Sequence, residues 1–515
     1  MAFIRYITKS DGSQYASLAG TFRQGTQVRQ EYLGNLGRVV DKAAGVFRSR
    51  QRGLFRFTLE DGYCELPTAY LERQEPIMPE RLILDFGDSY FLSQYLDKLE
   101  FGDTFRQVLP AHADTLLSLV FYRVLTDKKA YCYADTWWRG NYASVLFSDA
   151  RLASQRVSDL LVTLGQEDVQ RGFFKNYFEV LYGNRGTAGI LIDSSGLPNA
   201  SKLTVTQLSN HNGDISMEAR LIYAVDRRTG MPLYFRYCPG NIVDVTTLCT
   251  TLAELRQYNI EIDYAIVDAG YCSEDNVHEL YRSNVRFLTR LPTNRLLYKT
   301  VAKEYVPNLM SAANAVRYGD RLLYMKKVPV DVYGHCGFAY LGMDMDSRNQ
   351  QIKRAAFAAM DDKLSAEEAD RKMSGLGVFL ILSSEDIGTE DILPLYYTRQ
   401  QIEQVFDVGK NNADILPLRV QNEDTFRGHL MLTFLATVLI QKLQRDILTR
   451  RSKNDKTNPE GALMTLRNQK CKVYPNEIVP QEAVKCINDV YRLFKIRCPC
   501  TIPRRVCSEN SGREP

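Results

Sequence analysis

The chain has 515 residues, too many for one compact domain and enough for about three. Hydrophobic residues make up 45% and charged residues 24%, the balance of a soluble globular protein able to bury a real core. The apolar run from Leu430 to Ile440 is far shorter than the roughly 20 residues that span a bilayer. The opening MAFIRYITKSDGS has no apolar h-region and no small-residue cleavage site, so it does not read as a signal peptide and a cytoplasmic location is expected.

The net charge of +4 hides an asymmetry: residues 23–56 carry +6, residues 441–505 carry +9, and the rest carries −11. Basic ends around an acidic middle suit a phosphate-binding protein with a carboxylate-lined metal site, and equally suit basic tails that only aid solubility. The eleven cysteines are mostly scattered singly in apolar settings, as reduced thiols are. Cys486, Cys498, Cys500 and Cys507 cluster near the C-terminus. Without C-x-x-C knuckles they read as free thiols rather than zinc ligands.

In chain order, residues 1–80 hold short alternating segments (FIRYITKS, SLAGTF, LFRFTLEDGYCEL) and form a small, basic, strand-containing module, a candidate for DNA binding. LGNLGRVVDKAAGVFRSRQRG, between these segments, reads as a short helix with a basic flank. Residues 81–185 are helical: SYFLSQYLDKL, ADTLLSLVFYRVL and SQRVSDLLVTL repeat apolar residues at spacings of three and four. From Gly189 the pattern becomes β-β-β-α-β-α-β, with GILIDSSG and DYAIVDAGY as apolar strands that each end in an aspartate. Asp244 is expected to cap the helix DVTTLCTTLAELRQY. Residues 292–375 lose this regularity and read as an inserted, β-containing subdomain. The strand GVFLILSS follows, then a helix, and 441–515 form a basic, helical C-terminal region.

The helix YYTRQQIEQVFDVGK carries the densest chemistry. At 100° per residue Tyr396, Arg399, Glu403 and Lys410 project within about a 60° arc. By geometry alone such a stripe is more often a solvated face. Asp193 and Asp268, each expected at a strand end, would supply two hard oxygen ligands facing Glu403. The five histidines show no metal-ligand spacing, and no G-x-S-x-G, P-loop or G-x-G-x-x-G pattern occurs.

Tyr396-x2-Arg399-x3-Glu403-x6-Lys410, with LIDSSGLPN around Asp193 and IVDAGYCSEDN around Asp268, resembles the signature of bacterial insertion-sequence transposases of the DDE type. VDRRTGMPLYFRYCPGNIVD resembles the segment between their first two acids, and the resemblance covers about 85–440. It implies an α/β fold: a ribonuclease-H-like mixed sheet flanked by helices, formed by 186–291 and 376–440. It implies that Asp193, Asp268 and Glu403 hold two Mg²⁺ (or Mn²⁺) ions, and that Tyr396, Arg399 and Lys410 contact DNA phosphates near the transposon end. The implied partners are double-stranded DNA, as terminal inverted repeats and as target, and a second copy of the chain in a paired-end complex. The implied location is cytoplasmic, on the nucleoid when DNA is bound. The 135 residues from Asp268 to Glu403, against 75 between the first two acids, match relatives with an insertion before the last catalytic helix. Some of those relatives stack a flipped base on a tryptophan there. Here the tryptophans are Trp137 and Trp138, outside that region, which leaves Tyr298, Tyr324 or Tyr340 as stacking candidates. A nuclease that cuts without joining, and a non-catalytic DNA-binding derivative, are the alternatives.

Overall fold

The computed structural model describes residues 2–9, 13–24, 27–49, 53–64, 66, 83–127, 130–183, 186–211, 214–361, 365, 367, 376–418, 420–452 and 455–503. Cys507, residues 453–454 and most of 362–375 lie outside the described residues. Packing divides the chain into two units, Met1–Arg81 and Leu82–Pro515.

The first unit is an antiparallel meander of six strands: β1 (Ala2–Thr8), β2 (Gln14–Gln24), β3 (Gln27–Asp41), β4 (Val46–Ser49), β5 (Gly53–Thr58) and β6 (Gly62–Cys64). Ala16, Leu36, Phe47, Phe55 and Phe57 make its core, and in β5 Phe55 and Phe57 alternate with the half-buried Leu54, Arg56 and Thr58. The segment expected to be a short helix is instead part of β3 and β4, joined by a tight turn. Asp41 Oδ1 accepts from the N–H groups of Ala43 and Ala44, and Gly45 takes φ +64°, so the chain reverses before a helix can start.

In the second unit β7 (Ile83–Asp85) precedes a run of helices from Gly87 to Tyr182. Then follow β8 (Thr187–Pro198), β9 (Gln207–His211), β10 (Asp214–Asp226), β11 (Pro232–Pro239), β12 (Glu261–Val267) and β13 (Arg286–Arg290). Next come β14 (Ala315–Tyr318), β15 (Arg321–Val332), β16 (His335–Asp344) and β17 (Val378–Ser383), and near the end β18 (Lys470–Val473), β19 (Glu477–Pro480) and β20 (Ile502–Pro503). Strands β8 to β17 form one mixed sheet in the order β11-β10-β8-β12-β13-β17-β16-β15-β14, with β9 on β10. The trio β8, β12 and β13 is parallel and the flanking pairs are antiparallel. Ile190, Leu191, Ile192, Ala265, Ile266 and Val267 are all buried, the continuous apolar run of strands covered on both faces.

Several expectations change here. Strands of the 292–375 stretch do not form a sheet apart: β16 pairs with β17, so β14 to β16 extend the central sheet. The C-terminal region is not wholly helical, because β18 to β20 and β7 make a four-stranded sheet. Its small core of Leu84, Phe86, Tyr142, Cys471, Val473 and Ile478 ties the C-terminal end to the helical part. Asp244 does not cap a helix; its carboxylate accepts from Arg220 Nη1 at 2.6 Å and from the Ser194 hydroxyl.

The helix Glu423–Arg450 is buried almost all round from Phe426 to Leu443. Asn422 starts it by accepting the Thr425 N–H at 2.8 Å. At Gly428 it crosses the helix Ser154–Leu164 so closely that a Cβ would collide with Leu161 O. Among the described residues no helix is long and apolar enough to cross a membrane.

Candidate active site

The parallel pairing of β8 with β12 ends at Ile192 and Val267, so Asp193 and Asp268 leave it side by side at the same level. Asp268 directly follows its strand. Asp193 does not end its own: β8 runs on to Pro198 because β10 continues to pair with it, Tyr223 opposite Asp193. The expected strand end is therefore the end of the parallel pairing only.

The third acid arrives on a helix broken in two places. Ile392–Tyr397 and Gln400–Asp407 are separate segments with a turn at Thr398 and Arg399, and Val408–Asn412 widens into a π-turn. Val408 and Ala413 pack on Ala436 and Ile440, which seats this turn against the long helix. A single regular stripe is thus not what brings the four signature side chains into place. Tyr396, Arg399 and Glu403 line one cleft of about 450 Å³ together with Asp268, Arg290 and Arg321. Lys410, within the π-turn, reaches a different point on β8 and donates to Ser195 Oγ at 2.7 Å.

Arg399 joins the three acids. Its Nη1 lies 2.8 Å from Asp193 Oδ2 and 3.6 Å from Asp268 Oδ2, and its Nη2 lies 2.9 Å from Glu403 Oε1. Burial opposes the charge of Arg399, but Asp268 and Asp193 outweigh it and raise its affinity for the proton. Burial pushes the Asp193 carboxyl up to about 6, against the pull of Arg399 and of the Ser194 N–H. Tyr396 is buried beside Asp268, and burial first, then that carboxylate, lifts its hydroxyl to about 12. Burial lowers Lys410, with Glu218 partly restoring it.

Behind the acids lies a buried layer that periodicity passed over. Arg220, 1% exposed, reaches Asp244 at 2.6 Å, Ser194 Oγ at 3.2 Å and Glu218 at 3.7 Å. It fixes the backbone next to Asp193. An arginine within the otherwise apolar ARLIYAV was the available signal. Two stacking candidates are excluded as free surfaces: Tyr298 and Tyr340 are buried, their hydroxyls bound to Val378 O and Ile387 O. Tyr324 is half-buried.

Three carboxylates converging on one cation are the donor set a divalent ion takes. As they stand, no group of three or more His, Cys, Asp or Glu among the described residues is spaced to hold a metal ion. The described cysteines, including Cys486, Cys498 and Cys500, are free.

Residues 184–439 match the family model of the transposase DDE domain. That segment, which holds all three acids, is similar to the transposase DDE domain. The chain is similar to the transposase for insertion sequence element IS231E of Bacillus thuringiensis subsp. finitimus, 23% identical over 318 residues. That match takes in 55% of this chain and spans 65% of the relative's length. Among solved structures, the piggyBac transposase synaptic complex with hairpin DNA overlaps 69% of this chain and 70% of its own, at 10% identity and a TM-score of 0.38. An overlap that loose carries no argument about fold or chemistry.

Proposed function

We propose that the chain is the transposase of an insertion sequence, which binds the element's terminal inverted repeats as double-stranded DNA and moves them by cleavage and strand transfer. The observation that carries this reading is the convergence of Asp193, Asp268 and Glu403 on one point beside an open cleft. The order β11-β10-β8-β12-β13, antiparallel then parallel, with acids leaving β8 and β12, supports a ribonuclease-H-like catalytic core.

Asp193, Asp268 and Glu403 would hold two Mg²⁺ (or Mn²⁺) ions, whose chemistry is to activate the attacking water or 3′-hydroxyl and to stabilise the leaving oxygen. Arg399 and Lys410 offer cationic donors for phosphates near the transposon end, and Tyr396, which lines the cleft, would add a hydroxyl contact. The basic stretches 23–56 and 441–505 would add phosphate contacts outside the core. Cut-and-paste movement needs both ends held together, and a homodimer with one active site per end meets that need.

The test is incubation of the full chain with Mg²⁺ and DNA carrying the ends of its element. Joined products are expected. Cleavage without joining would replace this reading with a nuclease on the same fold, and binding alone would replace it with a non-catalytic DNA-binding derivative.

A further inference from the structure

Arg399 occupies the point on which the three acids converge, within 2.8–3.6 Å of a carboxylate oxygen from each. Without it, three anions would face one another in a partly buried site, where mutual repulsion is weakly screened. A guanidinium suits this place because its planar fork serves several carboxylates at once, as a point charge cannot. It is also where a divalent ion would have to sit, since metal–oxygen bonds of about 2.0–2.6 Å need these same oxygens drawn inward. Arg399 and an ion therefore exclude each other.

The displaced guanidinium has a destination. The cleft of about 450 Å³ opens beside it, with Arg290 on its wall and Arg321 there paired with Asp344, so an anion entering meets the Arg290 guanidinium as well as that of Arg399. Phosphate, like carboxylate, takes two parallel N–H donors from a guanidinium. The turn at Thr398 and Arg399, between two helical segments, leaves this residue outside a regular helical ladder.

We propose that Arg399 is an exchange residue: it holds the three carboxylates together as their counter-cation before substrate arrives, then passes to a DNA phosphate and so frees them for divalent ions. The inference rests on the reading above and adds a coupling to it. DNA and metal must strengthen each other's binding through this side chain, and the effect is reciprocal by thermodynamic necessity. Arg399 acts here as a positioning residue, through the acids.

The experiment is Mn²⁺ titration of the full chain by calorimetry, with and without a short duplex from the element's end, and with DNA binding followed separately by anisotropy. For the wild type, DNA should tighten Mn²⁺ binding about ten-fold, within the roughly 5–150-fold span of such couplings. Arg399→Gln should bind Mn²⁺ more tightly than wild type without DNA and gain nothing further from it. Its melting temperature in EDTA should fall below wild type and recover with Mn²⁺. Arg399→Lys, which keeps a charge but cannot span three carboxylates, should fall between the two.

Equal or weaker Mn²⁺ binding by Arg399→Gln overturns the exchange. So does a wild type that binds DNA with no change in Mn²⁺ affinity, an outcome that leaves the transposase reading intact. Absence of Mn²⁺ binding in every variant, DNA bound or not, overturns the metal site itself and the exchange with it.

Discussion

Asp193→Asn should silence the chemistry and yet leave the metal-free protein at least as stable as wild type. Asp193 is the most buried of the three acids, its side chain 18% exposed against 40% for Asp268 and 54% for Glu403. A carboxyl that titrates at about 6 in the fold and near 3.8 when unfolded opposes folding in its ionised form by at most roughly 3 kcal/mol. The folded value is the higher one, so protonation favours the fold at low pH, and that gain is lost as pH rises through about 6. Asparagine carries no charge, and its Oδ1 can still accept the Ser194 N–H that Asp193 now receives at 2.8 Å. Its Nδ2 then meets Arg399 Nη1 donor to donor, and Arg399 keeps Asp268 and Glu403, so the lost bond offsets part of the gain. The advantage of the variant should be small at pH 4 and larger at pH 8, where it stays below roughly 3 kcal/mol. The shift is about 2–4 °C per kcal/mol for a domain of 150–250 residues. The assay is thermal denaturation of both proteins in EDTA at the two pH values, beside cleavage in Mg²⁺. Cleavage should fall by about a thousand-fold, as loss of roughly 4 kcal/mol of transition-state stabilisation implies. A variant clearly less stable than wild type at pH 8, or one that keeps full cleavage, refutes the reasoning.

Asp268→Asn and Glu403→Gln should also abolish cleavage while DNA affinity, measured by anisotropy, stays within a few-fold of wild type; a large loss of binding would give these acids another role. Lys410→Ala should remove one phosphate contact and lower the slope of log affinity against log salt by about 0.9, which makes a roughly three- to four-fold difference between 50 and 200 mM salt. An unchanged slope would leave Lys410 only its bond to Ser195. Gly428→Ala should force two helices apart at Leu161 and destabilise the second unit by about 1–3 kcal/mol, read from its melting curve, whereas a neutral result would mean the crossing gives way easily.

Much of the candidate site's geometry was legible because the proposed chemistry calls for particular residues at particular ends of apolar runs. Asp268 is such a case, since AIV stops at the level where the parallel pairing stops. Asp193 was legible as an acid in the right place but not as a mid-strand residue: Ser194, Ser195 and Gly196 look like a turn, and only the pairing with β10 keeps them extended. The arc calculation grouped Tyr396, Arg399, Glu403 and Lys410, but local spacing does not register the turn at Arg399 or the π-turn at 408–412, which depends on packing against Ala436 and Ile440. The short strands β18 to β20 were missed because four-residue and shorter runs such as KCKV carry no readable period. The membership of β14 to β16 in the central sheet was equally hidden, because alternation reveals a strand without naming its partner. Arg220 escaped notice because a buried arginine is recognised by its partners, Glu218 and Asp244, and not by its own spacing.

The central claim is that Asp193, Asp268 and Glu403 hold divalent ions against DNA. Anomalous scattering from Mn²⁺ in crystals of the full chain bound to a duplex from the element's end tests it most directly. The account predicts two peaks among these three carboxylates, with Arg399 turned away from them onto a phosphate. Mn²⁺ bound elsewhere, or no peak among the acids while Arg399 still bridges them with DNA in place, would contradict it.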